Sequence, residues 1–398
     1  MLKLLYQAVI LGGAETLLLR IARYCKKSNI TVELCCSTIA PEMDNDFREV
    51  CSNICITQTP HKDIVNSATE QDTVLTLMLD DFAECERYAK KRRFVKVICY
   101  VVHRDGLKFN IRYPSVDRIF AKAFRNQIRH YLENGNIVFM EQTDLDITLE
   151  YYHLREIRGE ALVFRLPIET TDVFDADIEK KARQRTECFK VLTIARADFP
   201  FKGYIKGLIA LIGGLSKTDM QIELKIISSG KHVDKIDDWI KELARDADVK
   251  VAYDVEYKDL PGFYNEAHLY IGMGTTVLEA SDHAVPSIHI APYTYDLIGE
   301  YFFHEFPYLA ACKQGSSEIV KNLIVKTIKK SNEEYIQQCR VAKEVIDEQF
   351  SMEAFVNRLL THDLKTDGHY IGNIMQVEKA MRKFRDKLRQ ILDILKGR

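Results

Sequence analysis

The chain of 398 residues is long enough for two or three domains, because soluble domains contain about 150 residues on average. Hydrophobic residues make up 46% of it and charged residues 29%, with only 9 prolines and 18 glycines, which excludes a disordered, collagen-like or repetitive protein. Its 56 lysines and arginines nearly balance its 58 aspartates and glutamates, so any site for a polyanion must be local.

The ten cysteines form no CxxC pair and mostly lie in apolar stretches. A zinc site or a disulfide framework would need tighter clustering, so we expect small core residues in a reducing cytosol. No apolar run approaches the roughly 18 residues that span a bilayer, and Lys3 and Gln7 interrupt the amino-terminal stretch, which lacks a small-residue cleavage site. We therefore expect a cytoplasmic protein.

Short apolar strands alternate with helical stretches along the first part of the chain. Strands are predicted at 31–35, 73–78, 95–102 and 137–140, with helices such as 16–26 and 82–91 between them. This alternation is typical of an α/β domain whose parallel sheet is covered by helices.

The same pattern restarts after a charged stretch that has no sustained apolar strand. Strands are predicted at 190–195, 223–228, 249–252, 268–272 and 286–290, with helices at 204–215, 236–245, 260–266 and 276–282. We therefore predict two α/β domains in tandem, at 1–186 and 187–350, with 167–186 as the linker.

The remaining carboxy-terminal part is predicted to be helical, with helices at 317–330, 333–349 and 351–360. Within the extension 351–398, apolar residues keep a three-four spacing over three heptads flanked by lysines and arginines; they are Ile374, Val377, Met381, Phe384, Leu388, Ile391 and Leu395. Such a basic heptad helix packs on the body, forms a homodimeric coiled coil, or lies peripherally on the anionic inner face of a membrane.

Ligands of open parallel sheets bind beyond the carboxyl ends of the strands, where helix amino termini point outward. Gly12 and Gly13 follow an apolar strand and precede a helix, so their backbone could approach a phosphate or sugar closely. No third glycine completes the dinucleotide motif GxGxxG, which argues against an NAD enzyme. A plain tight turn explains the glycine pair equally well.

Two cations follow the first strand of the second domain. Arg196 and Lys202 lie six positions apart across a turn that contains Pro200. A diphosphate suits this pair, because an arginine fork and a lysine point charge together match its delocalised charge. A solvated turn is the alternative.

A Gly-x-Gly turn follows the strand at 268–272. Gly274 precedes a helix that starts at Thr275 or Thr276, and a threonine there is a good capping residue. Glu279 falls about one turn into that helix among apolar neighbours, so its carboxylate needs hydrogen-bond donors. Two ribose hydroxyls would serve.

His103 ends the predicted strand at 95–102 and is a candidate contact for a ligand, although a lone histidine is more often structural. Asp-x-Asp pairs recur along this charged chain, which argues against any one of them as a metal site. GxSxG, Walker A and HExxH motifs do not occur in the sequence.

In order and spacing, these stretches resemble the family-4 retaining glycosyltransferases of the GT-B fold over roughly residues 1–360. The GGAE turn at 12–15 is similar to the family's amino-terminal turn, and the segment 195–203 is similar to its G-R-x(4–5)-K-G motif, with Ala195 replacing glycine. The stretch 272–280 resembles the carboxy half of its E-x7-E motif. Residues 350–353 resemble the start of the late helix that crosses back onto the first domain.

The resemblance implies two Rossmann-like domains facing a cleft, with a UDP- or GDP-sugar as donor substrate and neither a cofactor nor a metal. Arg196 and Lys202 would bind the diphosphate and stabilise the leaving group, and Glu279 would hold the ribose. Backbone amides at Gly274 and Thr275 would approach the distal phosphate.

On the first domain, the resemblance implies that Gly13, beside Gly12, faces the sugar and phosphate. His103 would touch sugar hydroxyls near the anomeric carbon. One position departs from the family: Ile271 stands where the first glutamate of E-x7-E contacts donor-sugar hydroxyls. Loss of that contact would relax or shift the choice of donor.

We therefore expect a retaining glycosyltransferase that transfers a sugar to a glycan or lipid-linked acceptor in surface polysaccharide biosynthesis. A UDP-sugar 2-epimerase of the same fold is an alternative enzyme class. A catalytically silent GT-B scaffold that binds a partner through its heptad helix is the non-enzymatic alternative.

Overall fold

The computed structural model describes residues 1–10, 13–89, 92, 95–103, 106–108, 114–157, 160–218, 220–309 and 315–364. The chain divides into two compact units, one of Met1–Pro167 with the described residues from Phe355 onward, the other of Ile168–Ala354. The basic heptad segment and its expected roles lie outside the described residues.

The first unit begins with a strand whose residues are all buried. Its strands are β1 (Leu2–Leu5), β2 (Ala8–Val9), β3 (Val32–Cys36), β4 (Thr38–Ile39), β5 (Asn53–Ile56), β6 (Thr73–Thr76), β7 (Lys96–Val101) and β8 (Ile137–Phe139). Its helices are α1 (Gly13–Lys27), α2 (Pro41–Val50), α3 (Pro60–Ser67), α4 (Leu79–Ala89), α5 (Pro114–Asn134) and α6 (Gln142–Tyr151).

Six of these strands form a parallel sheet in the order β5-β3-β1-β6-β7-β8, and β2 pairs with β4 beside it. Every residue of β1, β6 and β8 is buried, as expected for strands covered on both faces. The charge of Lys3 is tolerated in β1 because its ammonium pairs with Glu33 on β3 and donates to Ser67 Oγ at 3.2 Å.

The second unit repeats this arrangement. Its helices are α7 (Asp175–Gln184), α8 (Tyr204–Leu215), α9 (Asp234–Leu243), α10 (Leu260–Glu266), α11 (Thr275–Asp282), α12 (Ser317–Lys329) and α13 (Asn332–Gln349), followed by α14 (Met352–Thr361), which straddles the division. Its strands are β9 (Phe189–Arg196), β10 (Ile222–Ser229), β11 (Asp248–Tyr253), β12 (Leu269–Gly272), β13 (Ser287–Ile290) and β14 (Gly299–Phe302).

The second sheet has the order β11-β10-β9-β12-β13-β14, in which the neighbours from β11 to β13 are parallel. Strand β14 is antiparallel to β13, a pairing that the repeated pattern did not predict. An antiparallel neighbour needs only a loop, not a crossover helix, so the strand-helix alternation carries no signal for it.

The stretch 168–186 differs from the expected linker of the first domain. It belongs to the second unit and contains α7, whose Ile178 and Ala182 pack with Tyr335 and Cys339 of α13. Most charges of this amphipathic helix are exposed, which explains why the stretch lacks a strand pattern. Lys181 is the exception among the charged residues of α7: it is buried and donates to His283 O at 2.7 Å.

The end of α14 packs in the first unit. Phe355 contacts the rings of Tyr100 and Phe164, and Arg358 Nη1 donates to the carbonyl of Val163 at 2.7 Å. Six of the nine cysteines that the structure describes are buried, as expected of core residues; they are Cys25, Cys35, Cys36, Cys85, Cys99 and Cys339. Among the described helices, none is long and apolar enough to cross a bilayer.

Candidate functional site

A cavity of about 410 Å³ lies at the carboxyl ends of β9, β10 and β12 in the second unit. Parallel sheets bind ligands at this edge, because strand ends and helix amino termini meet there. The polar residues that line it include Arg196, Ser228, Ser229, Lys202, Thr275 and Thr276.

The two predicted cations share this cavity. Arg196 is the exposed last residue of β9, and the half-buried Lys202 follows a turn closed by its amide, which donates to Asp198 O at 2.7 Å. Burial and then the nearby Arg196 charge lower the pKa of Lys202 to about 8. Within the described part of the chain, no carboxylate forms an ion pair with either cation, so their charge is available to an anionic ligand.

The turn before α11 also borders the cavity. Gly274 has φ 75° and ψ −150°, which a residue with a side chain rarely adopts. Gly274, and not a threonine, occupies the capping position, and no side chain caps the helix there. The Thr276 hydroxyl instead donates to Met273 O at 3.2 Å. The first amides of α11 thus lack side-chain capping and carry the positive end of the helix dipole.

A buried tyrosine fixes this turn against β9. The Tyr270 hydroxyl donates to Thr276 Oγ1 at 2.6 Å and lies 3.2 Å from Ile194 O. It therefore joins the end of the strand that carries Arg196 to the helix start at Thr275. Sequence reasoning did not find this link, since nothing in the sequence distinguishes a strand tyrosine that packs from one that joins two loops.

Two tyrosines hold Glu279 beside the cavity. The Tyr257 hydroxyl donates to Oε1 at 3.2 Å, and the Tyr264 hydroxyl donates to Oε2 at 3.0 Å. Tyr257 also lines the cavity, which places the carboxylate next to it. Each carboxylate oxygen can accept more than one hydrogen bond, so the bonds from the two phenols are compatible with a ligand hydroxyl as a further donor.

Ile271 does not lie in the cavity. It is a fully buried residue of β12, and its side chain belongs to the hydrophobic core of the second unit. As an isoleucine this residue packs in the core and does not line the cavity. The expectation that the position marks a lost contact to donor-sugar hydroxyls stays a prediction, since the burial of an isoleucine does not show where a glutamate would point.

The remaining predicted residues belong to the first unit. Gly13 is the exposed first residue of α1, and His103 is exposed just after β7. Gly12 lies outside the described residues. The structure thus brings four of the predicted residues together around one cavity: Arg196, Lys202, Gly274 and Thr275. Glu279 is linked to the cavity by its hydrogen bond from Tyr257. The roles of these residues in binding a donor stay predictions.

The carboxyl edge of the first sheet carries polar residues that the sequence analysis did not single out. His61 Nε2 lies 2.8 Å from Asp81 Oδ1, which joins the starts of α3 and α4. Tyr6 hydrogen-bonds Glu15, and burial followed by the charges of Glu15 and Asp81 raises the pKa of Tyr6. Their sequence separations follow no motif spacing, so only the fold could bring them together.

Several solved structures have the same fold. A glycosyltransferase from Rickettsia africae is 13% identical over 91% of this chain and 99% of its own, with a TM-score of 0.62. HepE from Anabaena, solved with UDP-glucose, is 16% identical over 90% of this chain and 97% of its own, with a TM-score of 0.55. WaaG, a glycosyltransferase involved in lipopolysaccharide biosynthesis, is 12% identical over 91% of this chain and 100% of its own, with a TM-score of 0.51.

No protein-family model matches the sequence, and no curated protein matches it. The structural likeness nevertheless defines the architecture: the chain has the GT-B fold of these glycosyltransferases, with two Rossmann-like parallel-sheet units and a helical carboxy-terminal part. The prediction of the fold class is confirmed. At this level of identity the likeness establishes the fold alone.

Proposed function

We propose that the chain is a glycosyltransferase that transfers a sugar from a UDP- or GDP-sugar to a glycan or lipid-linked acceptor. One observation carries the proposal. Arg196, Lys202 and the start of α11 border a single cavity, and within the described residues no carboxylate pairs with the two cations. This combination suits a diphosphate, since the Arg196 guanidinium, the Lys202 ammonium and the positive end of the α11 dipole all attract negative charge.

In the proposed reaction the bond between the anomeric carbon and the distal phosphate oxygen breaks, and negative charge grows on the departing diphosphate. Arg196 and Lys202 stabilise that charge, and the amides at Gly274 and Thr275 donate to the distal phosphate. Glu279 accepts hydrogen bonds from the ribose hydroxyls. These side chains take the place that a divalent metal fills in other enzymes, so we propose transfer without a metal and without a cofactor.

We further propose that the transfer retains the anomeric configuration, as the motif resemblance implies. The acceptor oxygen then attacks from the face that the diphosphate leaves, and the leaving phosphate oxygen takes the acceptor proton. No protein nucleophile is needed. Gly12, Gly13 and His103 stay candidates for contacts to the sugar on the strength of their motif positions alone.

We propose that the protein acts in surface polysaccharide assembly. Anabaena HepE was solved with UDP-glucose, and WaaG acts in lipopolysaccharide biosynthesis, which supports a role in surface polysaccharide assembly. We place the protein in the cytoplasm, with contact to the inner face of the membrane or homodimer formation through the heptad segment from Ile374 to Leu395.

The proposal is tested by incubating the protein with UDP-glucose, UDP-N-acetylglucosamine and GDP-mannose in the presence of EDTA and following products by mass spectrometry. Transfer to added glycans, or slow hydrolysis of a donor, supports it. Conversion of the donor to an epimerised sugar nucleotide, which has the same mass and is identified by nuclear magnetic resonance, indicates the 2-epimerase instead. Absence of UDP and GDP binding in calorimetry indicates a silent scaffold. Nuclear magnetic resonance of the product bond then tests retention.

Arg196→Ala should reduce turnover by orders of magnitude without unfolding the protein. The matched control is Arg245→Ala, because Arg245 is an exposed arginine beyond the end of α9 and does not line the cavity. Equal turnover in Arg196→Ala and Arg245→Ala would contradict the assignment of the diphosphate site.

A further inference from the structure

Two aromatic rings stand next to the donor cavity. Phe201 lines the cavity, and Tyr293 packs against it with ring centroids 4.9 Å apart and an interplanar angle of 55°. Tyr293 lies in the loop between β13 and β14, and 71% of its surface is exposed. A large aromatic side chain this exposed contributes little to the core.

The backbone holds Tyr293 in a strained conformation. Its φ is 60°, in the left-handed region, which costs roughly 1 kcal/mol or more for a bulky residue. The Tyr293 amide donates to Phe201 O at 3.1 Å, so the strained residue is tied to the loop beside Lys202. A glycine would adopt this conformation without strain, and a tyrosine here needs another reason.

The position of Phe201 and Tyr293 beside Lys202 indicates why a tyrosine occupies this strained position. The Lys202 ammonium, one of the two groups proposed to bind the diphosphate, lies 5.1 Å from the centre of the Phe201 ring. The diphosphate of the proposed donor carries the sugar at one end and the nucleoside at the other, and Glu279 is proposed to hold the ribose of that nucleoside. The two rings lie beside the lysine proposed to bind the phosphates, and no other residue of the second unit is proposed to hold the sugar.

We propose that Phe201 and Tyr293 form a carbohydrate-stacking subsite, which rests on the proposed function. A pyranose ring presents one face of C–H bonds, and this apolar face packs on an aromatic ring while its hydroxyls stay hydrated at the edge. Tyrosine suits such a site, because it offers a rigid apolar face with few rotatable bonds. The ring bound is that of the donor sugar or of the first acceptor sugar.

Three substitutions of Tyr293 separate stacking from structure. Tyr293→Phe keeps the ring, Tyr293→Ala removes it, and Tyr293→Gly removes it while relieving the left-handed strain. Phe174→Ala is the control, since Phe174 is also exposed but lies at the start of α7. We expect the melting temperature of Tyr293→Gly to equal or exceed that of the wild type.

Two measurements identify the ring that is bound. Calorimetry compares a sugar nucleotide with its nucleoside diphosphate, UDP-glucose with UDP and GDP-mannose with GDP, and kinetics with an active donor give KM for a glycan acceptor. A donor-sugar subsite weakens binding of the sugar nucleotide about 2- to 10-fold in Tyr293→Ala and Tyr293→Gly and leaves binding of the nucleoside diphosphate unchanged. An acceptor subsite raises the acceptor KM by a similar factor and leaves donor hydrolysis unchanged. In either case Tyr293→Phe and Phe174→Ala match the wild type.

The subsite is overturned if wild-type protein binds UDP or GDP and all three Tyr293 variants match it in both measurements. The proposed function then stands. If wild-type protein binds neither UDP nor GDP, the proposed function fails, and the subsite fails with it.

Discussion

The phenol of Tyr264 donates a 3.0 Å hydrogen bond to Oε2 of Glu279, while its ring stacks on His283 with centroids 5.3 Å apart and an angle of 22°. His283 Nδ1 in turn lies 2.9 Å from Asn265 Oδ1. Burial and the Glu279 charge raise the pKa of Tyr264 well above its ordinary value, so the phenol stays a donor. A row of packed side chains thus orients the carboxylate proposed to bind ribose.

Removing this hydrogen bond alone should weaken nucleotide binding. Tyr264→Phe keeps the stack on His283 and removes one donor to a charged acceptor, an interaction of about 1.5–3 kcal/mol. We expect UDP affinity to fall about 3- to 30-fold, with part of the lost interaction energy appearing as lower stability. Calorimetry and urea denaturation measure the two effects. An unchanged UDP affinity in a folded Tyr264→Phe protein would argue against Glu279 as a ribose ligand.

Nucleotide affinity should fall with pH above about 8. Burial and Arg196 lower the pKa of Lys202 to about 8 in the empty site, and a bound diphosphate favours the ammonium form and raises that pKa again. Binding therefore takes up a proton between the two values, so affinity is constant below the lower value and drops by up to about tenfold per pH unit above it. Calorimetry with UDP from about pH 7 to 9.5 measures this slope.

Lys202→Met serves as the control for this profile. It should bind UDP weakly at every pH and show no decline near pH 8, because the titrating group is absent. A wild-type profile that stays flat to pH 9.5, or a decline that persists in Lys202→Met, would place the ligand away from Lys202.

The conformation of Gly274 should be essential to binding. An added methyl group at Gly274 has room, with no atom within 4 Å, so Gly274→Ala adds backbone strain alone. We expect a loss of roughly 1–2 kcal/mol in stability and a larger loss in UDP affinity, since the amides at the start of α11 would reorient. Gly214→Ala in α8 is the control and should stabilise the fold slightly, because its methyl group also meets no atom within 4 Å.

Ile271 offers a test of whether this position contacts the donor sugar. Because its side chain is fully buried in the core, Ile271→Glu should destabilise the protein by about 4 kcal/mol or more and should not change the choice of donor sugar. Ile271→Val should cost only about 0.5–1.5 kcal/mol. Denaturation curves measure both. A stable Ile271→Glu protein with altered donor preference would contradict this prediction and support a contact between this position and the donor sugar.

The sequence predicted the double α/β arrangement and the strands that carry the cavity, because buried parallel strands leave continuous apolar runs such as β9. It also placed Arg196, Lys202 and Gly274 at strand ends, where the fold brings them to one cavity. It missed what depends on three-dimensional packing. Tyr257 and Tyr264 reach Glu279 across 22 and 15 residues, and no periodicity encodes such distances.

Motif spacing did not predict the buried surroundings of Ile271. Motif spacing aligns it with a ligand-binding glutamate, yet side chains alternate between the two faces of β12, and all four residues of the strand are buried. Likewise, the charged stretch 168–186 is typical of a linker when only its sequence is considered. In the structure, Ile178 of α7 is buried against residues of α13 that lie more than 150 positions away in the chain, and the sequence pattern gives no sign of this contact.

Calorimetric titration of UDP and GDP into the wild-type protein and Arg196→Ala, with Arg245→Ala as control, tests the diphosphate site most directly. We expect the wild type and Arg245→Ala to bind one of the two nucleotides with equal affinity and Arg196→Ala to bind it at least about 10-fold more weakly, since a charge-assisted contact is lost. Equal affinity in all three proteins, or no binding of either nucleotide to the wild type, would contradict the account.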